Sequence, residues 1–278
     1  MRGRLLSISL ALWLGLMAVA GAHHLWLIGE PHMTGTVPTA FRLEARTGNE
    51  FPETEVAIQP ARIERSQVIG PTGPVSDVHW QALQDRSVAE VRLEAPGAYW
   101  VTMELRPRFI ALSAQEFNEY LKHEGLTAIL ELRRKLGLLD RAAHELYAKY
   151  AKALLVVRPT EGDLGGPAVA AVITKPVGLK IEIVPQGVPQ LGTELPIQVL
   201  FEGQPVGPLQ VFAGAEGAGP AAVFSTDARG RVRIPLNRPG RWNVRTIHMI
   251  HLKEPLQWED RTVEWISYWA TLTMEVSS

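Results

Sequence analysis

Residues 113–155 read SAQEFNEYLKHEGLTAILELRRKLGLLDRAAHELYAKYAKALL, from Ser113 to Leu155, and how they are read decides the fold. Ser113-Ala114-Gln115-Glu116 has the spacing of a capping box, with Ser as N-cap and Glu three residues on. Phe117, Tyr120 and Leu121, then Ile129, Leu130, Leu132, Leu136, Leu138 and Leu139, recur as one helix face requires. The run from Glu145 to Lys149 and on to Lys152 continues that spacing. The segment therefore predicts a helical insertion over residues 113–158, with a solvated charged outer face. His123 and His144 lie inside it without a partner histidine three or four residues away, and read as helix-surface residues rather than ligands.

On both sides of this insertion the pattern is β. His23 to Ile28, Thr39 to Ala45, Ala57 to Ile63, Val88 to Leu93 and Tyr99 to Leu105 are short runs with the period of two that strands require. Pro71-Thr72-Gly73-Pro74 and Ala95-Pro96-Gly97-Ala98 punctuate them as turns. Beyond a glycine-rich linker at Gly162 to Gly166, a second set follows: Leu179 to Val184, Glu194 to Phe201, Gln210 to Ala213, Arg231 to Pro235, Trp242 to Leu252 and Ser267 to Val276. The predicted fold is mainly β, two β-sandwich domains with a helical insertion between them. The expected boundaries are an N-terminal β domain over 23–112, the insertion, a linker and return strand over 159–178, and a C-terminal β-sandwich over 179–278.

The N-terminus reads as a leader. Arg2 and Arg4 precede an apolar run from Leu5 to Ala20, closed by Ala20-Gly21-Ala22, the small-x-small pattern of signal cleavage. The run falls short of the about 20 residues of a comfortable membrane span. Residues 1–22 are thus expected to be a signal peptide, with a working chain that starts at His23. Those residues hold two of the chain's 28 basic side chains and none of its 29 acidic ones, so the remainder is mildly acidic and offers nothing to nucleic acid. Cysteine is absent, which excludes a disulfide framework, a thiolate metal site and a cysteine nucleophile. Export without disulfides suits a bacterial periplasm.

Chemistry rests mostly on histidines. Cleavage after Ala22 leaves His23 with an imidazole and a free α-amine on one residue, a compact chelate, and His24 adds a second ring that points to the other face of a strand. One further imidazole would complete a three-nitrogen site suited to copper or nickel. His248 and His251 are the candidates. Their spacing of three puts them on opposite faces of a regular strand, His248 with Trp242, Val244 and Ile250, and His251 with Asn243 and Arg245. His32 and His79 are reserve ligands. No nucleophile elbow, phosphate loop or dinucleotide motif occurs, so no enzymatic activity is expected. Trp258, Trp265, Tyr268 and Trp269 read as core packing rather than a sugar platform.

His23-His24-Leu25-Trp26-Leu27, Tyr147-Ala148-Lys149-Tyr150-Ala151-Lys152-Ala153-Leu154, Leu179-Lys180-Ile181-Glu182-Ile183-Val184-Pro185, Thr226-Asp227-Ala228-Arg229-Gly230, Gly240-Arg241-Trp242-Asn243-Val244 and Ser267-Tyr268-Trp269-Ala270-Thr271-Leu272-Thr273 occur in a distinctive order. Together they resemble a bacterial periplasmic family catalogued as a domain of unknown function and linked by name to nickel and cobalt uptake. The resemblance implies a C-terminal sandwich of immunoglobulin-like or transthyretin-like type and metal handling beside a membrane transporter component. The expected function is a periplasmic metal-binding accessory protein, with His23, His24, His248 and His251 as ligands of a divalent nickel, cobalt or copper ion. The alternative is a metal-free β-sandwich interaction module for a polysaccharide, peptide or membrane-protein partner.

Overall fold

The computed structural model describes residues 23–30, 32–159 and 166–277. The expected signal peptide and most of the expected glycine-rich linker lie outside them. In chain order the first strands are β1 His24–Glu30, β2 Thr34–Thr36, β3 Thr39–Gly48, β4 Ile63–Gly70, β5 Gly73–Asp77, β6 Gln81–Ala82, β7 Ser87–Leu93 and β8 Gly97–Leu112. Helices α1 Ala114–His123 and α2 Thr127–Lys135 precede β9 Ala143–Arg158, and α3 spans Gly166–Ile173. Then come β10 Ile181–Pro185, β11 Glu194–Phe201, β12 Gln204–Pro205, β13 Gln210–Ala215, β14 Ala222–Ser225, β15 Arg231–Pro235, β16 Gly240–Trp258 and β17 Arg261–Val276.

The protein is mainly β and layered. A nine-stranded sheet, in the order β14-β13-β16-β17-β9-β8-β4-β5 with β2 also on β9, forms the centre. One outer sheet, β1-β3-β7-β6, covers part of one face; a second, β10-β11-β12 with β15 paired to β11, covers the other. The core under the first outer sheet joins Leu25, Leu27, Phe41 and Leu43 to Met103, Ala151, Ala153 and Leu155. Beneath the second, Ile181, Ile183, Leu195 and Ile197 meet Ala148, Leu154, Val244 and Leu272. A third core, Phe117, Tyr120 and Leu121 against Trp265 and Trp269, sits under α1.

One element departs from its sequence pattern. The helical insertion expected over 113–158 ends at Lys135, and from Ala143 the chain is β9, hydrogen-bonded to β8 on one side and parallel to β17 on the other. The strand is buried on both faces, so it lacks the alternation of a half-exposed strand. Its Ala, Leu, Lys and Glu are good helix formers whose spacing fits either period, and pairing on both edges overrides that preference. A return strand was expected within 159–178; the described part holds α3, whose Val169, Val172 and Ile173 pack on the core beside Trp100. Of Ala57 to Ile63, expected as a strand, residues 57–62 are coil and a 3₁₀ turn, and β4 begins at Ile63.

Two buried charges on β9 need partners. The Lys152 ammonium donates to the Glu182 carboxylate at 2.6 Å, with both residues 1% exposed, and lies 4.2 Å over the Trp100 ring. Glu182 also accepts the backbone N–H groups of Val177 and Gly178, which ties the α3–β10 connection to the central sheet.

Candidate functional site

His24 is the first residue of β1. Because that strand is covered on both faces, the imidazole is only 3% exposed, with Trp26 stacked at 5.3 Å and Trp269 tilted against it at 4.9 Å between ring centres. Its nearest charged neighbour comes from far along the chain. Helix α1 starts on the expected capping box, Ser113 Oγ accepting from the Glu116 N–H and the Glu116 carboxylate from the Ser113 N–H. The helix closes at Glu124, followed by Gly125 in the left-handed region at φ +68°. A side chain at residue 125 would stand 2.1 Å from Gln210 Oε1 and 2.9 Å from the Phe212 ring, so glycine alone lets this helix end settle on β13.

That docking buries Glu124, 7% exposed, against β1. Its Oε2 lies 3.0 Å from His24 Nε2 and its Oε1 lies 3.1 Å from His123 Nδ1. The two atoms of the His24–Glu124 contact are buried, yet neither has the alignment of a hydrogen bond there or with any other described group. Burial lowers the His24 ring to about 4, against the opposing pull of Glu124, with Arg245 and Lys149 adding to the fall. Burial would raise the Glu124 carboxyl, but His24, the His123 hydrogen bond and Arg245 together hold it well below the usual carboxylate range. At neutral pH the pair is therefore a neutral imidazole facing a carboxylate.

Further titratable groups lie behind it. Tyr120 donates to Glu145 Oε1 at 3.2 Å, Ser267 Oγ contacts the same oxygen, and Trp269 Nε1 donates to Ser267 Oγ at 2.9 Å. Burial pushes Glu145 up to about 7 and Lys149 down to about 7. The Lys149 ammonium donates to the His23 carbonyl. A cavity of about 220 Å³ is lined by His123, Phe51, Phe212, Asn243 and Arg245.

The four expected ligands do not converge. His23 turns away from His24 and meets Glu55 Oε2 at 3.1 Å through Nε2. On β16, His248 pairs across to Tyr268 and packs on Phe201 at 4.9 Å, facing the second outer sheet; burial lowers its ring. His251 pairs to Trp265, 4.4 Å from that ring, on the face that carries α1. Among the described residues no group of three or more His, Cys, Asp or Glu side chains stands together as a ready metal cluster. Glu124, Glu145, Lys149 and Arg245 were not singled out from sequence. Lysines inside the Ala-Leu-Val run of β9 are the one local signal, since an unpaired lysine is rarely buried.

Sheets packed on a central sheet make this a mainly β, sandwich-type protein. The chain belongs to the family described as "Domain of unknown function (DUF4198)", whose model matches residues 20–250. No curated protein sequence matches it. Among solved structures, a segment of two fibronectin type-III domains from chicken tenascin aligns at 12% identity over 87% of this chain and 95% of that one, with a TM-score of 0.20. The human OSCAR ligand-binding domain aligns at 11% identity over 89% and 97%, with a TM-score of 0.18.

Proposed function

We propose that the chain is an exported metal-capture protein, taking up a late first-row divalent ion such as nickel, cobalt or copper for a membrane transporter component and performing no catalysis. The observation that supports this is the buried contact of His24 Nε2 with Glu124 Oε2, 3.0 Å apart and off the line of a well-aligned hydrogen bond. An imidazole nitrogen and a carboxylate oxygen that meet off the hydrogen-bond line can both turn a lone pair to one cation. Two donors bound to one ion at about 2.1 Å and about 90° apart stand about 3.0 Å from each other. A neutral imidazole and an ionised carboxylate are also the protonation states that coordination requires.

His123, with a side chain 67% exposed and already on the other Glu124 oxygen, supplies a third donor by a side-chain rotation. Once the leader is removed, the α-amine of His23 lies one residue from His24. Glu55 on His23 Nε2 then favours the tautomer whose Nδ1 is free to chelate with that amine. His248 and His251 drop out of the donor set. The alternative, a metal-free interaction module, is favoured by the lack of a ready three-donor cluster among the described residues.

Titration calorimetry with nickel and copper on the exported chain separates the two. One ion is expected to bind, Glu124→Gln is expected to weaken it at least tenfold, and His248→Ala and His251→Ala are expected to leave it unchanged. A chain that binds neither metal, and whose stability a chelator does not alter, supports the interaction module.

A further inference from the structure

Helix α3 and the proline turn Pro71-Thr72-Gly73-Pro74 flank a second cavity, of about 590 Å³, on the central sheet. The helix buries Val169, Val172 and Ile173 on the core beside Trp100. Its exposed side carries Ala168 and Ala171, with Lys175 just past its end, and these three line the cavity. Ile69 and Thr102 form part of the floor, and Pro71 and Pro74 stand on the other side. That volume falls within the roughly 300–1,000 Å³ of small-molecule sites. The walls are held apart. Trp100 Nε1 donates to the Val172 carbonyl at 3.2 Å, and the Glu182 carboxylate accepts the N–H groups of Val177 and Gly178, so α3 is tied to the sheet near its end and just beyond it. Opposite, the rings of Pro71 and Pro74 fix their own φ angles and stiffen the turn. Alanine at 168 and 171 leaves open the space that a longer side chain would fill.

The charges that line this cavity do not balance. Arg65 donates to Glu104 at 2.6 Å, so those two cancel. Lys175 is exposed and has no carboxylate within ion-pair distance among the described residues, whereas Lys180 pairs with Glu202 at 3.4 Å. One net positive charge beside apolar walls suits a ligand with a single negative charge and a hydrocarbon body. A second anionic group would have to lie against proline and alanine and lose its water without a partner. We infer that the cavity binds an amphipathic monocarboxylate of medium chain length, its carboxylate on Lys175 and its chain along Ile69, Ala171 and the two prolines. Binding is non-covalent, and each methylene taken out of water strengthens it about fourfold. The cavity shares no lining residue with the His24–Glu124 contact, so this site goes beyond metal capture and stands or falls apart from it.

The test titrates sodium octanoate, 1-octanol and the dianion suberate into the exported chain and its Ala171→Trp and Lys175→Gln variants at neutral pH. Wild type is expected to bind one octanoate, at least about tenfold tighter than octanol or suberate. Ala171→Trp fills the cavity from an exposed helix position, and is expected to weaken octanoate and octanol alike by at least about tenfold. Lys175→Gln removes the charge and leaves the walls, so octanoate is expected to fall to the level of octanol while octanol binds as it does to wild type. A merely damaged fold would weaken octanol as well. Octanoate that fails to bind wild type, binds at many equivalent sites, or binds both variants as tightly as wild type overturns the inference. Suberate binding as tightly as octanoate overturns it too, because the ligand is then not a monocarboxylate.

Discussion

Glu145 shows how burial at the site reaches stability. Its carboxyl is raised from the ordinary 4.5 to about 7, chiefly by desolvation, so the folded chain holds a proton over a pH window in which the unfolded chain has released it. Stability contributed by that proton is therefore present at low pH and lost as pH rises through about 7. Glu145→Gln keeps the shape without the titration. Thermal melts are expected to find the variant close to wild type near pH 5 and more stable at pH 8, by up to about 3 kcal/mol; a variant less stable at pH 8 than at pH 5, relative to wild type, contradicts this. The same scale shows what sequence reveals about sites. The opposite facing of His248 and His251 followed from a spacing of three, because strand geometry is local. The partner of His24 did not follow, because Glu124 is brought to it by the seating of a helix end on β13, and no spacing encodes a contact between residues so far apart in the chain.

Strand β9 is the element where local pattern and structure part. Tyr147, Tyr150, Leu154 and the intervening Ala and Lys fit a helix face as well as a strand buried on both sides. Only the presence of β8 and β17 as partners decides between them. By contrast α1 was legible to the residue at its start, since a capping box is a local device. The charge on β9 gives its placement a measurable cost. Lys152→Met leaves Glu182 buried without its counter-ion, and urea unfolding is expected to show a loss of about 3–5 kcal/mol. Lys152→Met with Glu182→Met is expected to recover part of that loss, because no unpaired charge remains. A double variant less stable than the sum of the single ones would mean that the pair is not held together as described.

At the scale of the whole molecule, a mainly β, sandwich-type chain was readable from the spacing of its turns and short strands. Hidden from that view was the continuity of the central sheet, in which β9 lends Ala151 and Leu155 to one core and Ala148 and Leu154 to the other. The same continuity assembles the site. His24 comes from the first outer sheet, Glu124 from the end of α1, and Arg245 and Trp269 from the central sheet, so no short stretch of sequence contains the proposed centre. An anomalous difference map from crystals of the exported chain grown with nickel tests it most directly. A single strong peak is expected between His24 Nε2 and the Glu124 carboxylate; a peak at His23 and Glu55 alone, a peak at His248 or His251, or no peak at all would contradict it.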